Sequence, residues 1–169
     1  MELKDTIRAI EDYPKEGVIF RDITTLLKDK DAFKKAVDEM AAKIDEDVDK
    51  IIGIEARGFI FGAALAYKLN KGFIPVRKPG KLPWDKLSES YELEYGQDSI
   101  EIHKDAIEPG EKVVIVDDLL ATGGTSKACL KLVRSLGGEV SSLLFLAELE
   151  GLKGRDVLKG EKVLSVIKY

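Results

Sequence analysis

The stretch VVIVDDLLATGGT, residues 113–125, carries most of what this chain says about itself. Its first four residues are an unbroken apolar run, the pattern of a short strand covered on both faces. The run ends in an acidic pair, Asp117 and Asp118, and after two leucines Ala121, Thr122, Gly123, Gly124 and Thr125 open a helix. Each part has a physical use. Glycines let a backbone curl closely around an anion, a helix start offers unpaired N–H groups at the positive end of its dipole, and threonine hydroxyls add donors. A phosphate monoester fits such a cup. The two carboxylates beside it can accept hydrogen bonds from vicinal hydroxyls, as on a ribose whose 5-phosphate lies in the cup. Taken separately, the glycines could be a tight turn and the acids a solvated strand end; together their spacing matches one ligand.

Outward from this stretch, strands and helices alternate. Residues 32–44 carry Phe33, Val37, Met40, Ala41 and Ile44 at helical spacing, with Asp31 as the expected N-cap. A strand over 50–55, a glycine-containing turn, a helix over about 59–69 and a strand over 73–77 make one β-α-β unit. A turn at Glu108-Pro-Gly-Glu111, a strand over 112–116, a helix over about 124–136 stopped by Gly137 and Gly138, and a strand over 140–146 make a second. This alternation predicts an α/β fold with a central parallel sheet flanked by helices, ligands binding at the carboxyl ends of the strands. Between the units, 90–95 and 99–103 alternate polar and apolar residues and read as an antiparallel ribbon, expected to form a flexible flap over the site at about 79–105. No repeat or linker divides the chain, so 1–169 is expected to be a single domain.

Composition narrows the function. With 44% hydrophobic and 34% charged residues the chain belongs among globular proteins, and 169 residues suffice for one real core. A net charge of −4, from 27 basic and 31 acidic residues, gives no reason to expect nucleic acid or an anionic membrane as partner, so any anion site must be local. No apolar run is long enough to span a bilayer, and nothing at the N-terminus reads as an export signal. Cys129, the only cysteine, excludes an internal disulfide, fits a reducing and hence cytoplasmic location, and reads as a core residue. Asn70 and Gln97 are the only amides while Lys and Glu abound, a bias of proteins that work hot.

Other phosphate signatures are missing: neither G-x-x-x-x-G-K-[ST] nor G-x-G-x-x-G before a helix occurs. The acidic pair followed by TGGT closely resembles the PRPP-binding motif of the type I phosphoribosyltransferases. GVIFRDI (17–23), EARGF (55–59), RKPGKLP (77–83), LEYG (93–96) and LKGR (152–155) extend the resemblance over nearly the whole chain, and toward the adenine-using branch of that family. The resemblance implies the family's fold, with a small hood beside the sheet, and transfer of 5-phosphoribose from PRPP to adenine with release of pyrophosphate. It implies ribose-phosphate contacts at Asp117, Asp118 and 121–125, and pyrophosphate contacts at Ala56, Arg57, Arg77, Lys78 and Lys81, cations that also fall just after two strand ends. It assigns adenine to the backbone of Ile19 and Arg21 and to a sandwich between Phe20 and Leu149, two residues that also fit a plain core. In the flap, Glu94 is the implied acceptor of the N9 proton and Tyr95 its neighbour over the reacting atoms, Arg57 completing the catalytic set. A non-proline cis peptide is implied at Glu55–Ala56, Mg²⁺ is expected on PRPP rather than in a protein cage, and the family is usually a homodimer. Pro79 and Trp84 depart from its pattern, which bears on flap closure rather than chemistry.

His103, the only histidine, lies past the flap and reads as a surface or interface residue. A hypoxanthine or guanine enzyme would share the PRPP half of the site, but it needs a donor to a 6-oxo group, and 145–150 offers no lysine. A PRPP- or purine-sensing regulator would need an effector module for which 169 residues leave no spare segment.

Overall fold

The structure, a computed structural model, describes residues 1–93 and 95–169. The chain forms two compact units, Met1–Glu39 and Met40–Tyr169. The first holds a 3-10 turn, the antiparallel pair β1 (Arg8–Glu11) and β2 (Ile19–Asp22), the one-turn helix α1 (Thr24–Leu27) and most of α2 (Lys30–Ala41). The second contains β3 (Lys50–Ile54), α3 (Arg57–Leu69), β4 (Gly72–Val76), β5 (Lys86–Glu92), β6 (Gln97–His103), β7 (Lys112–Leu120), α4 (Gly124–Ser135), β8 (Glu139–Glu148), the short α5 (Gly154–Val157) and β9 (Val163–Lys168).

Five strands make one parallel sheet in the order β4-β3-β7-β8-β9. The chain leaves β3 toward one edge and then crosses to its other side, so the strand order reverses between β3 and β7. At such a reversal the connections depart in opposite directions and leave a crevice at the carboxyl ends of the strands. Val113 to Val116 are wholly buried there, Val113 and Ile115 in one core cluster with Ile52, Ile54 and Leu143, as the unbroken apolar run requires of a central strand.

Several expectations are adjusted. The central strand does not stop before the acidic pair: β7 runs on to Leu120, because β8 continues to pair with it through Asp117, Leu119 and Leu120 after β3 has ended. Asp117 and Asp118 therefore sit on a strand bonded along one side only. The cap of α2 is Asp29 rather than Asp31; its Oδ1 accepts the backbone N–H of Asp31 at 2.9 Å and of Ala32 at 3.0 Å, which lowers its pKa. The helix starts two residues earlier than its apolar stripe, because a cap precedes the first turn whether or not that turn is apolar. The antiparallel ribbon is present as β5 and β6, but Ile100 and Ile102 are buried in the core cluster with Leu87 and Tyr91 packed against it, so its lower part belongs to the core. Strands β1, β2 and β9 have no counterpart among the expected elements: β1 and β2 are exposed or half-buried and β9 is mostly half-buried, so none carries the continuous apolar run that marks a covered strand.

Candidate active site

The cup at the end of β7 is formed by Asp117, Leu119, Leu120 and residues 121–126, enclosing about 80 Å³. Gly123 has φ 90°, a left-handed value that favours glycine, immediately before α4 begins at Gly124. At Gly124, by contrast, a Cβ would meet only the Tyr91 ring at 3.5 Å, so of the two glycines Gly123 is the one the backbone demands. The α4 N-terminus thus faces the cup with its first N–H groups unused by the helix.

Asp117 and Asp118 differ sharply in surroundings. Asp118 pairs with Arg57, Nε to Oδ2 at 2.8 Å, and its backbone N–H donates to Asp117 Oδ1 at 2.8 Å. Burial raises the pKa of Asp117 well above the ordinary carboxylate value, and the charge of Asp118 beside it adds to the rise. Helix α3 comes so close to β7 that a Cβ on Gly58 would stand 2.9 Å from Asp117 Oδ1 and 3.0 Å from the Val116 carbonyl oxygen. The absence of a side chain at 58 is what lets Arg57, one residue earlier, reach Asp118.

The β3–α3 turn carries the second half. The Glu55–Ala56 peptide is cis, as the resemblance implied, and a second cis bond, Tyr13–Pro14, was not anticipated. Glu55 gathers the cations that follow β4: Arg77 Nε at 3.0 Å, the backbone N–H of Lys78 at 3.1 Å, and the Lys81 ammonium. Burial opposes ionisation of Glu55, but these donors outweigh it and its pKa falls. Lys78 Nζ is held by Asp98 and by the Tyr91 hydroxyl at 3.2 Å. Glu101, a buried carboxylate, accepts the Gly80 N–H at 2.9 Å and ties the 77–81 loop to β6.

The structure therefore brings Asp117, Asp118, 121–125 and Arg57 together at the ends of β3 and β7, and joins Arg77, Lys78 and Lys81 to the same turn through Glu55. Glu55, Asp98, Tyr91, Glu101 and Gly58 escaped the sequence reading of the site. Glu55 opens the EARGF segment, but its partners lie more than 20 positions downstream, and a lone carboxylate gives no local sign of them.

In the N-terminal unit, Ile19 is exposed while Phe20 and Arg21 are half-buried on β2, the Phe20 ring meeting Tyr13 edge-on at 5.3 Å between centroids. Asp22 ends this strand with its pKa lowered to about 2, chiefly by hydrogen bonds from Thr24 and Arg8. In the other unit Leu149 is half-buried and donates its N–H to the Leu120 carbonyl at 2.9 Å. Neither Phe20 nor Leu149 is closed into a core. Tyr95 is exposed on the ribbon turn, and Glu94 lies outside the described residues. The His103 Nε2 accepts the backbone N–H of Trp84 at 3.4 Å, away from the cup. Cys129 is fully buried, its thiol pKa pushed up by burial, as a core role requires.

Comparison with known proteins bears on this geometry. A phosphoribosyl transferase domain matches residues 24–164. The chain is 60% identical over 168 residues to an adenine phosphoribosyltransferase of Thermosipho africanus, covering 99% of each. It is similar to the crystal structure of the adenine phosphoribosyltransferase of Thermoanaerobacter pseudethanolicus, with a TM-score of 0.96 and 57% identity over 99% of this chain and 98% of that one. The Saccharomyces cerevisiae adenine phosphoribosyltransferase, solved with an imino-altritol bisphosphate and adenine, gives a TM-score of 0.89 and 40% identity over 96% and 94% of the two chains.

Proposed function

The chain belongs to the adenine phosphoribosyltransferases and transfers 5-phosphoribose from PRPP to adenine, giving AMP and pyrophosphate in a purine-salvage reaction; we propose that it does so with the residues converging on the β3–β7 reversal. The observation that carries this assignment is that a phosphate-sized cup and a cation cluster meet at the carboxyl ends of β3, β4 and β7, with Arg57 paired to Asp118 and Arg77 and Lys81 paired to Glu55.

The 5-phosphate takes the N–H groups of 121–125, and Asp117 and Asp118 accept the ribose hydroxyls. Arg57, Arg77, Lys78 and Lys81, with the backbone at Ala56, take the diphosphate. The adenine assignment, to the backbone of Ile19 and Arg21 and to the side chains of Phe20 and Leu149, rests on the resemblance of those residues to the family's alone. The C1–oxygen bond to pyrophosphate breaks and the N9–C1 bond forms on the opposite face, through an oxocarbenium-like state. Glu94, with Tyr95 beside it, is assigned the N9 proton on resemblance alone. Most of the rate comes from alignment of N9 with C1 and from cations facing the charge that develops on the leaving group.

Mg²⁺ carried on PRPP would supply positive charge to the diphosphate, beside Arg57, Arg77, Lys78 and Lys81, which face the same group from the protein. The acidic side chains nearest the cup, Asp117 and Asp118, would meet such an ion through the substrate's oxygens and water. The proposed enzyme is a cytoplasmic homodimer acting on small molecules; for the dimer, α3 offers Ile60 and Tyr67 as exposed apolar surface. Among the described residues no helix is long and apolar enough to cross a membrane.

Tritiated adenine with PRPP, in competition with hypoxanthine and guanine, tests the assignment. Labelled AMP is expected, with little effect of either competitor, and Asp118→Asn is expected to raise KM for PRPP about tenfold. No labelled AMP, or PRPP kinetics unchanged in that variant, would count against it.

A further inference from the structure

The motif LKGR, residues 152–155, has no substrate contact in the assignment above, yet it lies against the phosphate loop. At Gly154 there is no room for a side chain. A Cβ would stand 2.6 Å from the Ala121 carbonyl oxygen and 2.7 Å from Leu120 Cδ1. Reciprocally, a Cβ on Gly123 would stand 2.9 Å from the Gly154 carbonyl oxygen, 3.4 Å from its Cα and 3.3 Å from Val157 Cβ. Two glycines from separate segments thus bring two backbones into direct contact beneath the loop.

Gly154 is itself firmly held. The next residue, Arg155, grips Glu148 through Nε to Oε2 at 2.9 Å and Nη2 to Oε1 at 2.8 Å, and donates from Nη1 to the Val163 carbonyl at 2.9 Å. Ser165 Oγ adds a bond to the same carboxylate at 2.6 Å. Glu148 is buried at the end of β8, where it pairs with Leu120 on β7 and Lys168 on β9. The chain of contacts runs from the ends of three strands through Arg155 and Gly154 to Ala121 and Gly123.

We infer that Gly154, fixed by the Arg155–Glu148 pair, is a positioning residue that sets the height of the 121–123 backbone and thereby the affinity for the 5-phosphate end of the substrate. It acts through the loop and touches no substrate. The reason is geometric: N–H groups that must converge on one anion bind well only when held in place beforehand, and a shift of well under 1 Å disperses them. The inference rests on reading residues 121–125 as the ribose 5-phosphate cup.

Calorimetric titration with ribose 5-phosphate and, separately, with magnesium pyrophosphate tests it on the full chain. Gly154→Ala is expected to bind ribose 5-phosphate about tenfold more weakly or worse while binding pyrophosphate like the unsubstituted protein. Arg155→Lys keeps the charge but loses the two-pronged grip and is expected to fall between. If Gly154→Ala does not fold, Arg155→Lys carries the same two-ligand comparison. Equal weakening of both ligands would mark a general loosening of the domain and overturn the proposal, as would unchanged ribose 5-phosphate affinity in the variants. Failure of the unsubstituted protein to bind ribose 5-phosphate is a separate outcome; it would remove the cup assignment and the proposal with it.

Discussion

Asp117 is partly enclosed beside a second carboxylate and keeps its proton to a higher pH in the folded chain than in the unfolded one. Unfolded, it ionises near 3.8. Between that value and the raised folded one, the native state binds more protons than the unfolded state, so stability falls as pH rises through the window, by about 1.4 kcal/mol for each unit of separation. Asp117→Asn carries no such charge. Its melting midpoint is expected to exceed that of the unsubstituted protein at pH 7, and the gain is expected to vanish near pH 4 and below, where Asp117 is protonated in both states. An equal or lower midpoint at pH 7 would contradict this. The same substitution alters a proposed ribose acceptor, so the carboxyl whose ionisation costs the fold stability is one the proposed chemistry uses.

Among the elements, α2 gives the cleanest separation of local from tertiary causes. Its N-terminal donors are taken by Asp29, not by the Asp31 that the apolar stripe suggested. Asp29→Ala is expected to lower the melting midpoint by about 2–4 °C, the worth of one helix cap in a chain of this size. Asp31→Ala is expected to leave the midpoint in place, and neither change should alter PRPP kinetics; thermal scans of the two variants side by side decide it. The β5–β6 ribbon shows the opposite case. Its alternation was legible, but which of its faces would be buried was not, because Ile100 and Ile102, with Leu87 and Tyr91 beside them, are covered by a core cluster drawn mostly from outside the hairpin. The acidic pair shows it again: β7 carries it as strand because β8 outlasts β3 on one flank.

At the scale of the molecule, the scarcity of amides and the abundance of Lys and Glu lead to an expected melting midpoint above about 65 °C, the upper end of the mesophile range. A midpoint of 50 °C by calorimetry would refute it. The parallel sheet, the β-α-β units and the glycine loop proposed to hold the phosphate were readable in the sequence because each is written in one contiguous segment, where hydrophobic period, helix stops and glycine spacing are local properties. The family motifs added the expected cis peptide at Glu55–Ala56 and the location of the cations. What only the tertiary structure decided is which distant residues meet: Arg57 with Asp118, Glu55 with Arg77 and Lys81, Gly58 against Asp117, Gly123 against Gly154. Those meetings follow from the strand order β4-β3-β7-β8-β9 and from the close approach of backbones that glycine permits. A sequence pattern shows which face of a strand is apolar, but not which strand will lie beside it. That choice is made by the packing of the whole sheet, and it turns separately legible segments into one site.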